Sequence, residues 1–248
     1  SDVNKGFSGG NNIGIRAALN EGYEYIYLLN SDIILKNDAF SLMQDRFEIS
    51  KDVAIVGPHI VNSIGEYVQF ARPGITLALY LVCRRTFATF FPKLEKKLRF
   101  FSYNPEENYV FDGMLNGCCF GMKACFIREH DCLDENLFMY YEEDVLAYVL
   151  KRNCKKALIV SNAKIIHNEG IATKKSSKDR MLFTRFYRWT SVLYVLRNYA
   201  KVNFIICKLI STINIMEWRL LALRNRAYKE KLQDFVSENK RVLRTVKR

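Results

Sequence analysis

The chain has no run of 18 uncharged apolar residues. Its nearest approach, residues 202–216, is interrupted by Lys208, and a helix that crosses a bilayer takes about 20 apolar residues. It has no G-x-x-x-x-G-K-[ST] phosphate loop and no G-x-G-x-x-G fingerprint, although Gly6, Gly9 and Gly10 fall within five positions. P-loop hydrolases and Rossmann dehydrogenases are therefore not expected. The seven cysteines include no C-x-x-C pair and are odd in number, which points to buried, reduced thiols in a cytoplasmic protein rather than to a disulfide framework or a zinc site. Internal repeats and low-complexity tracts are absent, so a solenoid or a flexible linker is excluded. No helix-turn-helix or RNP-like motif accompanies the basic charge, and a nucleic-acid partner is not expected.

What is present suits one large or two modest domains: 248 residues, 49% of them hydrophobic. The net charge of +12 is unevenly placed. Residues 174–248 hold 19 Lys and Arg against five Asp and Glu, a net of +14, whereas residues 1–173 carry −2. This asymmetry predicts a near-neutral folded part, 1–173, followed by a basic helical region, 174–248, with an anionic lipid surface as the first partner to consider.

The most informative stretch is N-K-G-F-S-G-G-N-N, from Asn4 to Asn12. Its glycines predict a backbone that passes close to something or takes positive φ. A helix-like segment follows, then the apolar strand Tyr25–Leu29, which stops on Asn30-Ser31-Asp32. A carboxylate at the carboxyl end of a buried strand, beside a Gly-rich turn into a helix, is where open α/β sheets place ligands. On its own, N-S-D is an ordinary turn.

Four ordered motifs carry a resemblance. They are the Asn4–Asn12 segment with the strand ending in N-S-D, then N-G-C-C-F-G-M from Asn116, L-D-E-N-L-F-M-Y-Y-E-E-D from Leu133 to Asp144, and Ile166-His167. Over roughly residues 4–170 the chain resembles the inverting family 2 glycosyltransferases, especially those that add rhamnose or hexoses to bacterial polysaccharides. The resemblance implies a mixed sheet of the Rossmann-like GT-A type. It also implies that an opening strand, a helix and a second, base-binding strand precede the Gly-rich segment. The expectation is thus an α/β sheet lacking its first strands, with the activity of this stretch by itself left open.

The resemblance further implies a divalent metal, Mg or Mn, that neutralises the leaving diphosphate, held by Asp32 with His167 as a further ligand. Asn30 would contact the nucleotide or a metal-bound water, and Gly6, Gly9, Gly10 and Asn12 would line the nucleotide-sugar donor. Gly117 would lie beneath the donor sugar. One acid at the start of the helix from about residue 143 would be the general base; two registers remain, Asp144 and Glu143. The acceptor would be a saccharide, free or lipid-linked. A competing reading is an inactive remnant that binds only a membrane or a partner.

Elsewhere, Phe40, Met43 and Phe47 predict an amphipathic helix over 39–49. A buried strand is predicted over 53–58, stopped by Gly-Pro, then a hairpin turned at 62–66, and two short strands over 157–160 and 164–167. Residues 72–109, where aromatic and basic residues alternate, read as a helical insertion. In the basic region Phe183, Phe186, Tyr187, Trp189, Val192, Leu193, Val195 and Leu196 alternate with cations. That pattern predicts an interfacial helix lying on the inner face of the cell membrane without spanning it.

Overall fold

The computed structural model describes residues 2–82, 90, 92–168 and 177–246. The middle of the 72–109 insertion and the boundary expected between 173 and 174 lie outside the described residues. The chain forms α1 (Gly6–Asn20), β1 (Tyr25–Leu29), β2 (Ile33–Leu35), α2 (Ala39–Ile49) and β3 (Val53–Val61). Then come α3 (Leu77–Val82), α4 (Pro92–Arg99), β4 (Tyr109–Phe111), β5 (Cys119–Lys123), α5 (Ala124–His130), α6 (Glu142–Arg152) and β6 (Lys156–His167). Four helices end it: α7 (Ser177–Asn198), α8 (Phe204–Arg224), α9 (Arg226–Glu230) and α10 (Leu232–Arg244).

The strands make one mixed sheet in the order β1-β5-β3-β6-β2, with β4 also paired to β6. β3 and β6 are parallel, and the other pairings are antiparallel. The α/β class expected from the sequence is what forms. β3 is buried over all but its last residue, as its unbroken apolar run requires of a central strand. α2 lays Ala39, Met43 and Phe47 on one face of the sheet, with Val56, Ile60 and Ile165 beneath. The other face holds Ile15 of α1 together with Phe120, Phe126 and Leu150.

Two strand expectations are corrected. β3 does not stop at Gly57-Pro58, and the segments either side of residues 161–163 belong to one strand, β6. Pairing jumps from Pro58↔Val160 to His59↔Lys164, so residues 161–163 are looped out of the β3 ladder. A proline without an N–H is tolerated in a central strand at such an irregularity. Ser161 then donates its N–H to Asn108 Oδ1 at 3.0 Å.

The basic helices share a core with the sheet part. Ile75, Leu79, Leu137 and Val145 pack with Val192, Leu193, Leu196 and Ile210. Asp134 is nearly buried and accepts hydrogen bonds from Tyr194 Oη (2.8 Å) and Tyr199 Oη (2.6 Å). Farther out, Trp218 stacks on Phe235 with ring centroids 4.1 Å apart.

Candidate active site

The Gly-rich segment is not a loop. Gly6 opens α1, and Gly9, Gly10 and Asn12 lie inside that helix. Gly6 does take positive φ (73°), and a Cβ there would meet Phe138 O at 2.0 Å. The close approach is therefore to the protein's own backbone, sealed by the Phe7 N–H donating to Phe138 O at 2.8 Å. Asn12, expected to contact the donor, is fully buried. Its Nδ2 donates to Leu133 O (2.8 Å) and Glu135 Oε1 (2.9 Å), and its Oδ1 accepts from the Leu133 N–H (2.9 Å). With donor and acceptor both engaged inside the protein, Asn12 is a clamp between α1 and the 133–135 segment. Gly9 faces Lys5, and Gly10 has open space beside it.

Asp32 and His167 do come together. β1 ends at Leu29, the Asn30 N–H donates to Cys118 O at 2.8 Å, and the chain turns into β2. β2 pairs with the end of β6 so that Ile33 sits opposite His167. Asp32 Oδ1 then lies 3.3 Å from His167 Nε2, both side chains largely enclosed. Asp32 Oδ1 and the neighbouring Asn168 Oδ1 are buried and receive no aligned hydrogen bond. A cation is the kind of partner that such oxygens lack. Among the described residues no group of three His, Cys, Asp or Glu that could hold a metal ion occurs.

The acids at the start of α6 are aimed by an unusual turn. Tyr140 and Tyr141, neither of them glycine, both take left-handed φ (70° and 71°), a conformation held only where its surroundings demand it. α7 supplies that demand. Ser191 Oγ donates to Met139 O at 2.8 Å, and Tyr140 Oη lies 3.1 Å from Thr184 Oγ1.

The three acids then diverge. Asp144, one of the two expected bases, is fully buried; its Oδ2 accepts from Arg72 Nη2 at 2.9 Å and its Oδ1 from the Ile75 N–H at 2.7 Å. Burial pushes its pKa up and Arg72 pulls against that. With both oxygens engaged it anchors the 72–75 segment. Glu143 is partly exposed and lies on the backbone of Gly117, where an added Cβ would stand 2.1 Å from Oε1. Burial raises its pKa, and the Asp144 charge adds to the rise. Glu142 is enclosed and pushed up to about 8, first by burial and then by the charge of Glu143.

Gly117 lies in a chain of contacts that runs from Glu143 to Asp32. Glu143 rests on Gly117, the next residue's carbonyl accepts from the Asn30 N–H, and Asp32 is two residues on. The missing Cβ at Gly117 makes room for Glu143, where a donor sugar was expected. Arg72 and Gln69 went unnoticed in the sequence. Gln69 Oε1 accepts from the Asn116 N–H at 2.9 Å and so holds the 116–118 loop. A lone Arg before a Pro carries no signal for that role.

No family model matches the chain. A curated relative does. The chain is similar to a hexosyltransferase. That relative, the low-salt glycan biosynthesis hexosyltransferase Agl10 of the archaeon Haloferax volcanii, is 28% identical over 192 residues. The match covers 75% of this chain and 56% of the relative, so the chain spans little more than half of that protein. Among solved structures, GalNAc-T7 with UDP, GalNAc and Mn²⁺ aligns over 76% of this chain and 37% of its own, with a TM-score of 0.45 and 14% identity.

Some of the tail residues expected at a membrane face the protein instead. Val192, Leu193, Val195 and Leu196 of α7 are buried in the core shared with the sheet. Phe186 and Trp189 pack edge-on against Trp218.

Proposed function

We propose that the chain is a glycosyltransferase of GT-A type that moves a hexose or deoxyhexose from a nucleotide sugar to a saccharide acceptor, free or lipid-linked, with inversion. In this reading residues 1–173 carry the chemistry, and the basic helices 174–248 hold it on the inner face of the cell membrane. The observation that carries it is the joining of Asp32 and His167, 3.3 Å apart, to Glu143 through Asn30 and the 117–118 backbone. The similarity to a hexosyltransferase of glycan biosynthesis supports the same reading.

Asp32 and His167 would hold Mg²⁺ or Mn²⁺, which when bound supplies positive charge to the leaving diphosphate. Asn30 borders this position and would face the nucleotide. Glu143 accepts the proton of the acceptor hydroxyl as its oxygen attacks the anomeric carbon. The new C–O bond forms as the bond to the diphosphate breaks on the opposite face, which inverts the configuration. A carboxylate raised above its ordinary pKa is a stronger base, and Gly117 leaves it room against the sheet.

The test is release of nucleoside diphosphate from a panel of nucleotide sugars with Mn²⁺ and a saccharide acceptor. Asp32→Ala is expected to remove metal-dependent release. Undiminished release by both Asp32→Ala and Glu143→Gln would overturn the assignment.

A further inference from the structure

α8 is apolar on two opposite faces. Cys207, Ile210, Ser211, Asn214 and Trp218 are buried inward. Ile205, Leu209, Ile213, Met216, Leu220 and Leu223 recur every three or four residues on the outward side, between 38% and 82% exposed. At about 1.5 Å per residue this stripe runs roughly 27 Å. It cannot turn inward, because the opposite face is locked: Trp218 stacks on Phe235 and its Nε1 donates to Tyr228 O at 3.0 Å. A continuous apolar stripe on a protein surface marks a contact.

The charge around the stripe selects the partner. Lys208 and Arg219 are exposed along one flank, Lys201 lies before its start, and Arg224 and Arg226 lie at its end. Residues 201–230 hold six Lys and Arg against Glu217 and Glu230, and Glu230 is paired with Arg226 at 2.9 Å. We infer that the outward face of α8 lies in the headgroup layer of an anionic lipid bilayer, the helix parallel to the surface. Among the described residues no helix is long and apolar enough to cross a membrane, and the inner face of α8 is committed to the protein. A second copy of the chain would set the same cations against each other, whereas anionic headgroups neutralise them. The inference deepens the membrane placement proposed above, rests on it, and is independent of the chemistry at Glu143.

The full chain is tested by flotation with phosphatidylglycerol-containing vesicles and with phosphatidylcholine vesicles. Wild type is expected to float with the anionic vesicles, less at high salt but not zero. Leu209→Glu with Leu220→Glu should lower the partition coefficient at least about tenfold. Both side chains are exposed, so the circular dichroism should be unchanged. Lys208→Glu with Arg219→Glu should lower binding to the anionic vesicles alone, and Ile64→Glu, exposed in the distant 62–66 turn, should change nothing. Equal binding by the double-Leu variant overturns the inference. So does a wild type that ignores vesicles and sediments as a dimer, which Leu209→Glu with Leu220→Glu dissociates. Either failure would leave diphosphate release untouched, and loss of that release would leave vesicle binding untouched.

Discussion

Glu143 and Asp144 are adjacent acids in unlike surroundings. Asp144→Asn breaks the enclosed pair with Arg72. It is expected to cost about 3 kcal/mol of stability, read by urea unfolding, with turnover per folded molecule near wild type. Glu143→Gln should do the reverse: stability kept, turnover down about 10²- to 10⁴-fold. Loss of turnover in Asp144→Asn at full stability would restore the other register. Glu142 adds a pH signature. Its folded pKa of about 8 stands above the ordinary 4.5, so the folded chain keeps a proton that the unfolded chain releases. The resulting stability is full below about pH 4.5 and is lost as pH rises through about 8. Glu142→Gln removes this dependence, and its melting temperature should gain on wild type between pH 5 and 8. Parallel melting curves across that range would mean that Glu142 is solvated.

At the scale of the element, α1 shows how tertiary contacts override propensity. Four glycines and three asparagines make a poor helix former, yet Gly6–Asn20 is helical. Docking to Phe138 and the Asn12 clamp supply what local preference lacks. Asn12→Ala strands the buried Leu133 N–H and carbonyl and should cost at least about 2 kcal/mol. Nucleotide affinity, measured by calorimetry, should not change. A weakened nucleotide with unaltered stability would return Asn12 to the donor site. α7 matters in the same way: by bracing Met139 and Tyr140 it sets the direction in which α6 presents its acids, so a helix of the basic region shapes the candidate site.

Across the whole molecule, the shared core around Val145, Leu193 and Ile210 predicts one cooperative unit. The two tryptophans, Trp189 and Trp218, both lie in α7 and α8. Their fluorescence therefore reports the helical region alone, whereas far-UV circular dichroism reports the sheet as well. The two urea transitions should coincide. Removing residues 174–248 should leave Ile75, Leu79, Leu137 and Val145 uncovered and the remainder insoluble. Two separated transitions, or a soluble folded 1–173 fragment, would restore the two-domain division.

The sequence by itself determined the features that local chemistry controls. The spacing of Phe40, Met43 and Phe47 set α2 at 39–49, and the run before Asn30-Ser31-Asp32 set β1 at 25–29, because hydrophobic period and turn residues act over a few positions. The nearness of Asp32 and His167 was an expectation only through the family resemblance, since no local period or spacing pairs them. Only the tertiary structure decided the rest. Whether Gly6 approaches a ligand or Phe138, and how three adjacent acids diverge, depend on residues more than 20 positions away in sequence. The outer stripe of α8 is the same case: periodicity shows that a side chain is apolar, but not whether another part of the chain covers it.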